Sequence, residues 1–266
     1  MDLATTTPLR EGERLDQVND RLRLIQKADG MTFGTDALLL ASFAAPCPKG
    51  KALELGAGTG IVSLMVATRR KYASVSAVEV QPSYADLCRR NVAINGLEEV
   101  IDVVETDLRE LVRKRDENGD PIGPLPPLSG VDFDAVLTNP PYFAPHRGFA
   151  SADGGRHIAR HEVMGGIADF CRVASAKLKY GGALYLVYTP TRLKDLMVAM
   201  EAADLSPRRM TLVCDTADAP PSILLVEAKK GGRCELKMTK VLVLRESDGT
   251  PTPSMKSILE GGVFPF

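Results

Sequence analysis

The sequence predicts an α/β architecture: a mostly parallel seven-stranded sheet with helices on both faces and a final antiparallel hairpin. Three observations carry this expectation. From Lys51 onward, apolar runs of four to six residues alternate with helical patterns, as β-α-β crossovers require. The first run leads directly into a glycine-rich turn and a helix. Helical pattern is scarce between the last two sheet runs, so those strands are expected to pair as a hairpin.

The length of 266 residues fits one α/β domain with extra elements, although two small domains would also fit. With 44% hydrophobic and 25% charged residues, composition is that of an ordinary globular chain. No apolar run is long enough to span a bilayer, and the N-terminus lacks the apolar centre of a signal peptide. No membrane partner is therefore expected. The five cysteines, Cys47, Cys88, Cys171, Cys214 and Cys234, are scattered and never in CxxC spacing. They read as reduced thiols of a cytoplasmic protein. With only three histidines there is no ligand spacing for zinc, and no metal is expected. A net charge of −1 gives no global pull towards nucleic acid, so any RNA contact has to come from a local basic patch.

Residues 1–20 are polar without apolar periodicity and read as a mobile lead-in. Arg21–Ile25 alternates like a strand, with Met31–Phe33 as its expected hairpin partner. Ala37–Ala41 should be helical, with Thr35 as N-cap. These elements make residues 1–50 an extension packed on a domain that spans 51–266. In that domain, helices are expected at Ile61–Arg69 with its apolar positions on one side, Pro82–Asn95, Val163–Lys179 and Thr191–Ala203. The strands are Ala52–Leu55, Val75–Val80, Val100–Val104, Phe133–Thr138, Ala183–Tyr188, Arg208–Cys214 and Ile223–Ala228. Arg115–Gly130, rich in Pro, Gly and charge, reads as a surface insertion. A last apolar strand lies near Val241–Leu244, before a weakly patterned tail.

Candidate chemistry gathers at strand ends. Gly56, Gly58 and Gly60 occupy every second position between a strand and a helix, where a ligand can approach the backbone closely. The Lys-Ser/Thr of a phosphate loop is absent, and the spacing is not GxGxxG. Glu79 ends the second strand, where a carboxylate can accept from both hydroxyls of a ribose; it reads alternatively as a solvated strand-end charge. Asp107 follows the third strand and can accept from an adenine amino group, or simply cap the helix Leu108–Val112. After the fourth strand stand Asn139, Pro140, Pro141 and Tyr142. The two prolines fix an extended exit, with an amide before it and a ring after it, suited to a planar amine-bearing substrate. The plain alternative is a turn that only ends a strand.

Together these residues resemble the class I S-adenosylmethionine-dependent methyltransferases, which have a Rossmann-like fold. The resemblance covers Lys51–Ala228 through ELGAGTG, AVEV, ETDL and NPPY. The NPPY form narrows it to enzymes that methylate an amide or an exocyclic amino nitrogen. Phe33–Ala41 and Ala159–Glu162 are further similar to the bacterial tRNA1(Val) adenine-37-N6 methyltransferase family. That resemblance implies transfer from S-adenosyl-L-methionine, released as S-adenosyl-L-homocysteine, to N6 of adenosine 37 in a tRNA. The alternatives are N5-methylation of a protein glutamine and N-methylation of another nucleic-acid base. It also implies donor contacts by Thr35, Asp36, Glu54, the three glycines, Glu79, Val80, Asp107, Leu108 and Asn139. Catalysis would fall to Asn139–Tyr142, and substrate binding to Phe143, Arg160 and His161. Arg156 and His157 could join these at the substrate entrance, and Arg208–Arg209 and Lys229–Lys230–Arg233 are further candidate RNA contacts. The sequence leaves the oligomeric state open.

Overall fold

The first strands lie earlier than expected. Glu13–Asn19 (β1) and Leu22–Lys27 (β2) form an antiparallel hairpin, so part of the supposed lead-in is folded and the partner of β2 lies upstream of it. Its turn carries a signal that apolar counting ignores: the Asn19 side chain accepts from Arg21 N at 2.9 Å. β1 escapes a hydrophobicity reading because charge fixes it. Arg90 donates to the two oxygens of Glu13 at 2.6 and 2.7 Å. The structure is a computed structural model that describes residues 9–29, 33–140, 165–233, 235–262 and 264–266. Met31 lies outside the described residues.

Helix α1, Thr35–Phe43, is preceded by Gly34 as N-cap, so Thr35 is its first residue rather than its cap. Then follow Cys47–Leu55 (β3), Ile61–Thr68 (α2), Tyr72–Glu79 (β4), Pro82–Ile94 (α3) and Ile101–Glu105 (β5). A 3-10 turn, Leu108–Leu111, and the exposed insertion lead to Phe133–Thr138 (β6). Ile167–Lys177 (α4), Leu178–Tyr188 (β7), Leu193–Ala202 (α5), Leu205–Cys214 (β8) and Ile223–Lys230 (β9) complete the core.

The seven core strands run in the order β8-β9-β7-β6-β3-β4-β5. β7, β6, β3, β4 and β5 pair in parallel, and β9 is antiparallel to both neighbours, so the expected hairpin is present. Two short pieces, Lys237–Met238 (β10) and Leu242–Val243 (β11), extend the sheet by pairing in parallel with β8. The tail then forms Pro253–Leu259 (α6). The reading of a weakly patterned tail missed this helix, which starts where Thr252 accepts from Met255 N and Pro253 follows as the first helical residue.

α1, α2, α3 and α6 cover one face of the sheet; α4, α5 and the 3-10 turn cover the other. α2 is buried at every position from Ile61 to Ala67, not along one stripe. The chain reverses its direction of sheet growth between β3 and β6, which opens a crevice at their carboxyl ends.

Candidate donor and substrate site

Register brings the expected residues together. Leu55 pairs with Val78 and with Thr138, and Glu79 with Glu105. Gly56, Val80, Asp107 and Asn139 therefore follow the ends of four adjacent strands, spread over about 15 Å at the usual strand spacing.

The glycine loop is held from several sides. Gly56, Gly58 and Gly60 have φ of 72°, 56° and 83°, a region that penalises other residues. Gly56 N and Ala57 N both donate to Val78 O at 2.9 Å. A Cβ at Gly60 would lie 2.5 Å from Cys88 Sγ, whereas one at Gly58 would meet open space. The loop thus packs tightly at its helix end and turns a bare backbone outward in its middle.

Glu79 is not a solvated strand-end charge. Only 4% exposed, it accepts from Gly58 N through Oε2 and from Gln81 N through Oε1, both at 2.8 Å. Each oxygen retains a further lone pair, so the carboxylate can still accept from a diol. Val80 is half-buried beside it. Glu54 lies beneath the loop, accepting from Ser63 N at 2.9 Å and from the Ser63 hydroxyl. Burial pushes its carboxyl up to about 8; Ser63 opposes the shift and the charge of Glu79 adds to it.

Asp107 caps the 3-10 turn through Arg109 N at 2.8 Å, while buried Leu108 anchors the turn. Burial would raise the Asp107 carboxyl, but the Arg109 guanidinium bound to it holds it below the usual range. At the end of β6, Thr138 Oγ1 donates to Leu55 O at 2.9 Å, locking the motif strand to the loop strand. Asn139 is half-buried and Pro140 buried. Pro141, Tyr142, Phe143, Arg156, His157, Arg160 and His161 lie outside the described residues. Thr35 and Asp36 are half-buried at the start of α1. The far end of that helix meets Lys71, just before β4, whose Nζ donates to Ser42 O at 2.9 Å.

Other basic residues are placed elsewhere. Arg209 is committed to the fold, bonded to Glu227, Phe43 O and Phe266 O. Lys230 donates to Leu178 O at 2.7 Å at the opposite edge of the sheet. Ser63, Gln81, Arg109 and Asn91 escaped the sequence reading. Only Asn91 carried a signal, as an amide amid the apolar positions of an amphipathic helix.

The comparisons concern the family and the fold. The family model described as methyltransferase small domain matches residues 27–202. A tRNA1(Val) (adenine(37)-N6)-methyltransferase of Porphyromonas gingivalis is 27% identical over 251 residues, covering 90% of this chain and 91% of the relative. One from Shewanella amazonensis is 28% identical, covering 86% and 90%. Among solved structures, a predicted O-methyltransferase from Agrobacterium tumefaciens matches with TM-score 0.66 and 25% identity, over 86% of this chain and 97% of that one. A tRNA m1G37 methyltransferase from M. jannaschii shares the fold at TM-score 0.52 and 16% identity, over 84% and 58%. Among the described residues no helix is long and apolar enough to cross a membrane.

Proposed function

Since the chain belongs to the methyltransferase small-domain family, we propose that it transfers a methyl group from S-adenosyl-L-methionine to N6 of an adenine in RNA, namely adenosine 37 in a tRNA anticodon loop. The observation that carries the reading is the gathering of the glycine loop, the buried Glu79 carboxylate, Asp107 and Asn139–Pro140 at adjacent strand ends. The substrate assignment is supported by the relatives' names. The same reading places the enzyme in the cytoplasm and treats residues 1–50 as an extension of the 51–266 domain.

The residues fit the donor. Glu79 has acceptors left for two ribose hydroxyls, and Gly58 leaves open space where a side chain would stand. Asp107 would accept from the adenine amino group once Arg109, which is bonded to both of its oxygens, gives one up; Thr35 and Asp36 would hold the amino-acid end. Glu54 supports the loop from beneath. Bound S-adenosylmethionine supplies an electrophilic methyl on a sulfonium, and S-adenosylhomocysteine is the leaving product.

The substrate amine is a weak nucleophile because its lone pair is delocalised into the ring. Asn139 Oδ1 and the Pro140 carbonyl each accept one N–H, drawing the nitrogen towards tetrahedral geometry with its lone pair aimed at the methyl. Tyr142 stacks on the base, worth about 1–3 kcal/mol by analogy with other base–aromatic contacts. Substrate binding is assigned to Phe143, Arg160 and His161 on the resemblance alone. The N–H proton passes to solvent after transfer, and positioning is the main source of acceleration. An unpaired loop nucleotide costs little to splay out.

The test offers labelled S-adenosylmethionine with separate pools of tRNA, rRNA and protein, followed by mass spectrometry of nucleosides and peptides. N6-methyladenosine in tRNA is the expected product. Label on a protein glutamine, or on another base, would replace the substrate assignment.

A further inference from the structure

Asn91, on α3, is fully buried, and its amide joins two separate parts of the chain. Its Oδ1 accepts from Ile25 N at 2.6 Å, and its Nδ2 donates to Ile25 O and to Thr59 O, each at 3.0 Å. Ile25 belongs to the N-terminal hairpin; Thr59 stands between Gly58 and Gly60 in the loop. Both amide hydrogens and one oxygen lone pair are therefore used, which fixes the side chain completely. One turn along α3, Asn95 repeats the clamp on the hairpin: its Oδ1 accepts from Arg23 N at 3.0 Å, and its Nδ2 donates to Arg23 O at 2.7 Å. Its remaining bond goes to Asn91 O, within the helix, and not to the loop.

The hairpin braces the same edge at two other points. Gln26 Oε1 accepts from Phe33 N at 2.8 Å, holding the segment that enters α1. Lys27 Nζ donates to Ser83 Oγ at 3.0 Å and lies 4.4 Å from the centre of the Tyr84 ring, just beyond Glu79. Loop, ribose side and amino-acid side are each tied to one small hairpin.

We propose that Asn91 is a positioning residue for the methyl-donor site, through which the hairpin Glu13–Lys27 sets donor affinity although it supplies no donor contact. The inference rests on the reading that the glycine loop holds the donor. By drawing the Thr59 carbonyl inward, Asn91 fixes the Thr59–Gly60 peptide plane. That plane governs where the Gly58 amide meets Glu79 and which face of the loop turns outward.

Asn95 provides the control, since its loss frees the hairpin from α3 at one point without touching the loop. Asn91→Ala, Asn91→Asp and Asn95→Ala are compared by thermal melting, by calorimetry with S-adenosylhomocysteine and by steady-state kinetics. Asn91→Asp keeps the size and the Ile25 N bond but turns an acceptor towards Thr59 O, so it tests the loop bond even where the alanine variant is poorly folded. Both Asn91 variants should raise Kd and donor KM about 10-fold, or 1.4 kcal/mol, with kcat at saturating donor nearly retained. Asn95→Ala should lower the melting temperature while leaving Kd within about twofold, or 0.4 kcal/mol. Unchanged Kd in folded Asn91 variants, or an equal rise in Asn95→Ala, overturns the proposal. Wild-type protein that does not bind S-adenosylhomocysteine overturns instead the donor reading beneath it.

Discussion

At the scale of single residues, three carboxyl and amide groups on one edge carry different burdens. Asn139 is assigned to the reacting nitrogen, so Asn139→Ala should bind S-adenosylhomocysteine like the wild type and lose most turnover. Turnover near the wild-type rate would remove it from the mechanism. Glu79→Ala should do the reverse, weakening donor binding at least tenfold by calorimetry, since one charge-assisted acceptor is worth about 1.5–3 kcal/mol. Glu54 has a different signature. An unfolded chain ionises this group near 4.5, whereas the folded one holds its proton up to about 8. Between those values the folded state keeps a proton that the unfolded state has lost. The associated stability is complete below the lower value and disappears as pH rises through the upper one. Glu54→Gln cannot titrate, so its melting temperature should fall less than that of the wild type between pH 6 and 9. Parallel curves for the two proteins would show that Glu54 is ionised in the fold.

At the scale of elements, the loop–helix junction is the least tolerant point. Gly60→Ala combines a φ of 83° with a methyl pressed against Cys88 Sγ. The backbone term alone is about 1–2 kcal/mol. A urea titration should show a loss larger than that, and Cys88→Ala in the same chain should recover the packing part but not the backbone part. This junction was readable from sequence because glycine spacing and strand ends are local signals. β3, β6, β7 and β9 were readable for the same reason: each carries an apolar run of four or more consecutive buried residues. β1 was not, because Glu13 and Asp16 hold it through partners far away in the chain or across the hairpin. The carboxyl edge could be located, and so could Glu79 and Asn139 upon it. What the alternation of strands and helices cannot announce is a buried amide such as Asn91, whose three bonds join residues 32 and 66 positions away.

At the scale of the whole molecule, Arg209 shows how a surface-like dipeptide becomes internal. Its guanidinium lies 4.1 Å from the centre of the Phe43 ring and bonds to the end of α1, to Glu227 on β9 and to Phe266. Three separate parts of the chain meet on one cation, a convergence that no local pattern contains. Arg209→Ala leaves Glu227, 8% exposed, without its guanidinium partner, and should cost about 3–5 kcal/mol in urea unfolding. Adding Glu227→Gln should return part of that loss; no recovery would mean that the aromatic and carbonyl contacts dominate. The hairpin raises a different matter, that of keeping chains apart. A two-stranded sheet ordinarily leaves two rows of backbone groups able to recruit a strand from a neighbouring molecule. On β2 the row at Arg23 and Ile25 is already occupied by the amides of Asn95 and Asn91, which take the place of a third strand. Both side chains block that row, but only Asn91 also reaches the loop at Thr59, so on the proposal above a change made at Asn91 for one purpose will be felt in the other, whereas one made at Asn95 will not.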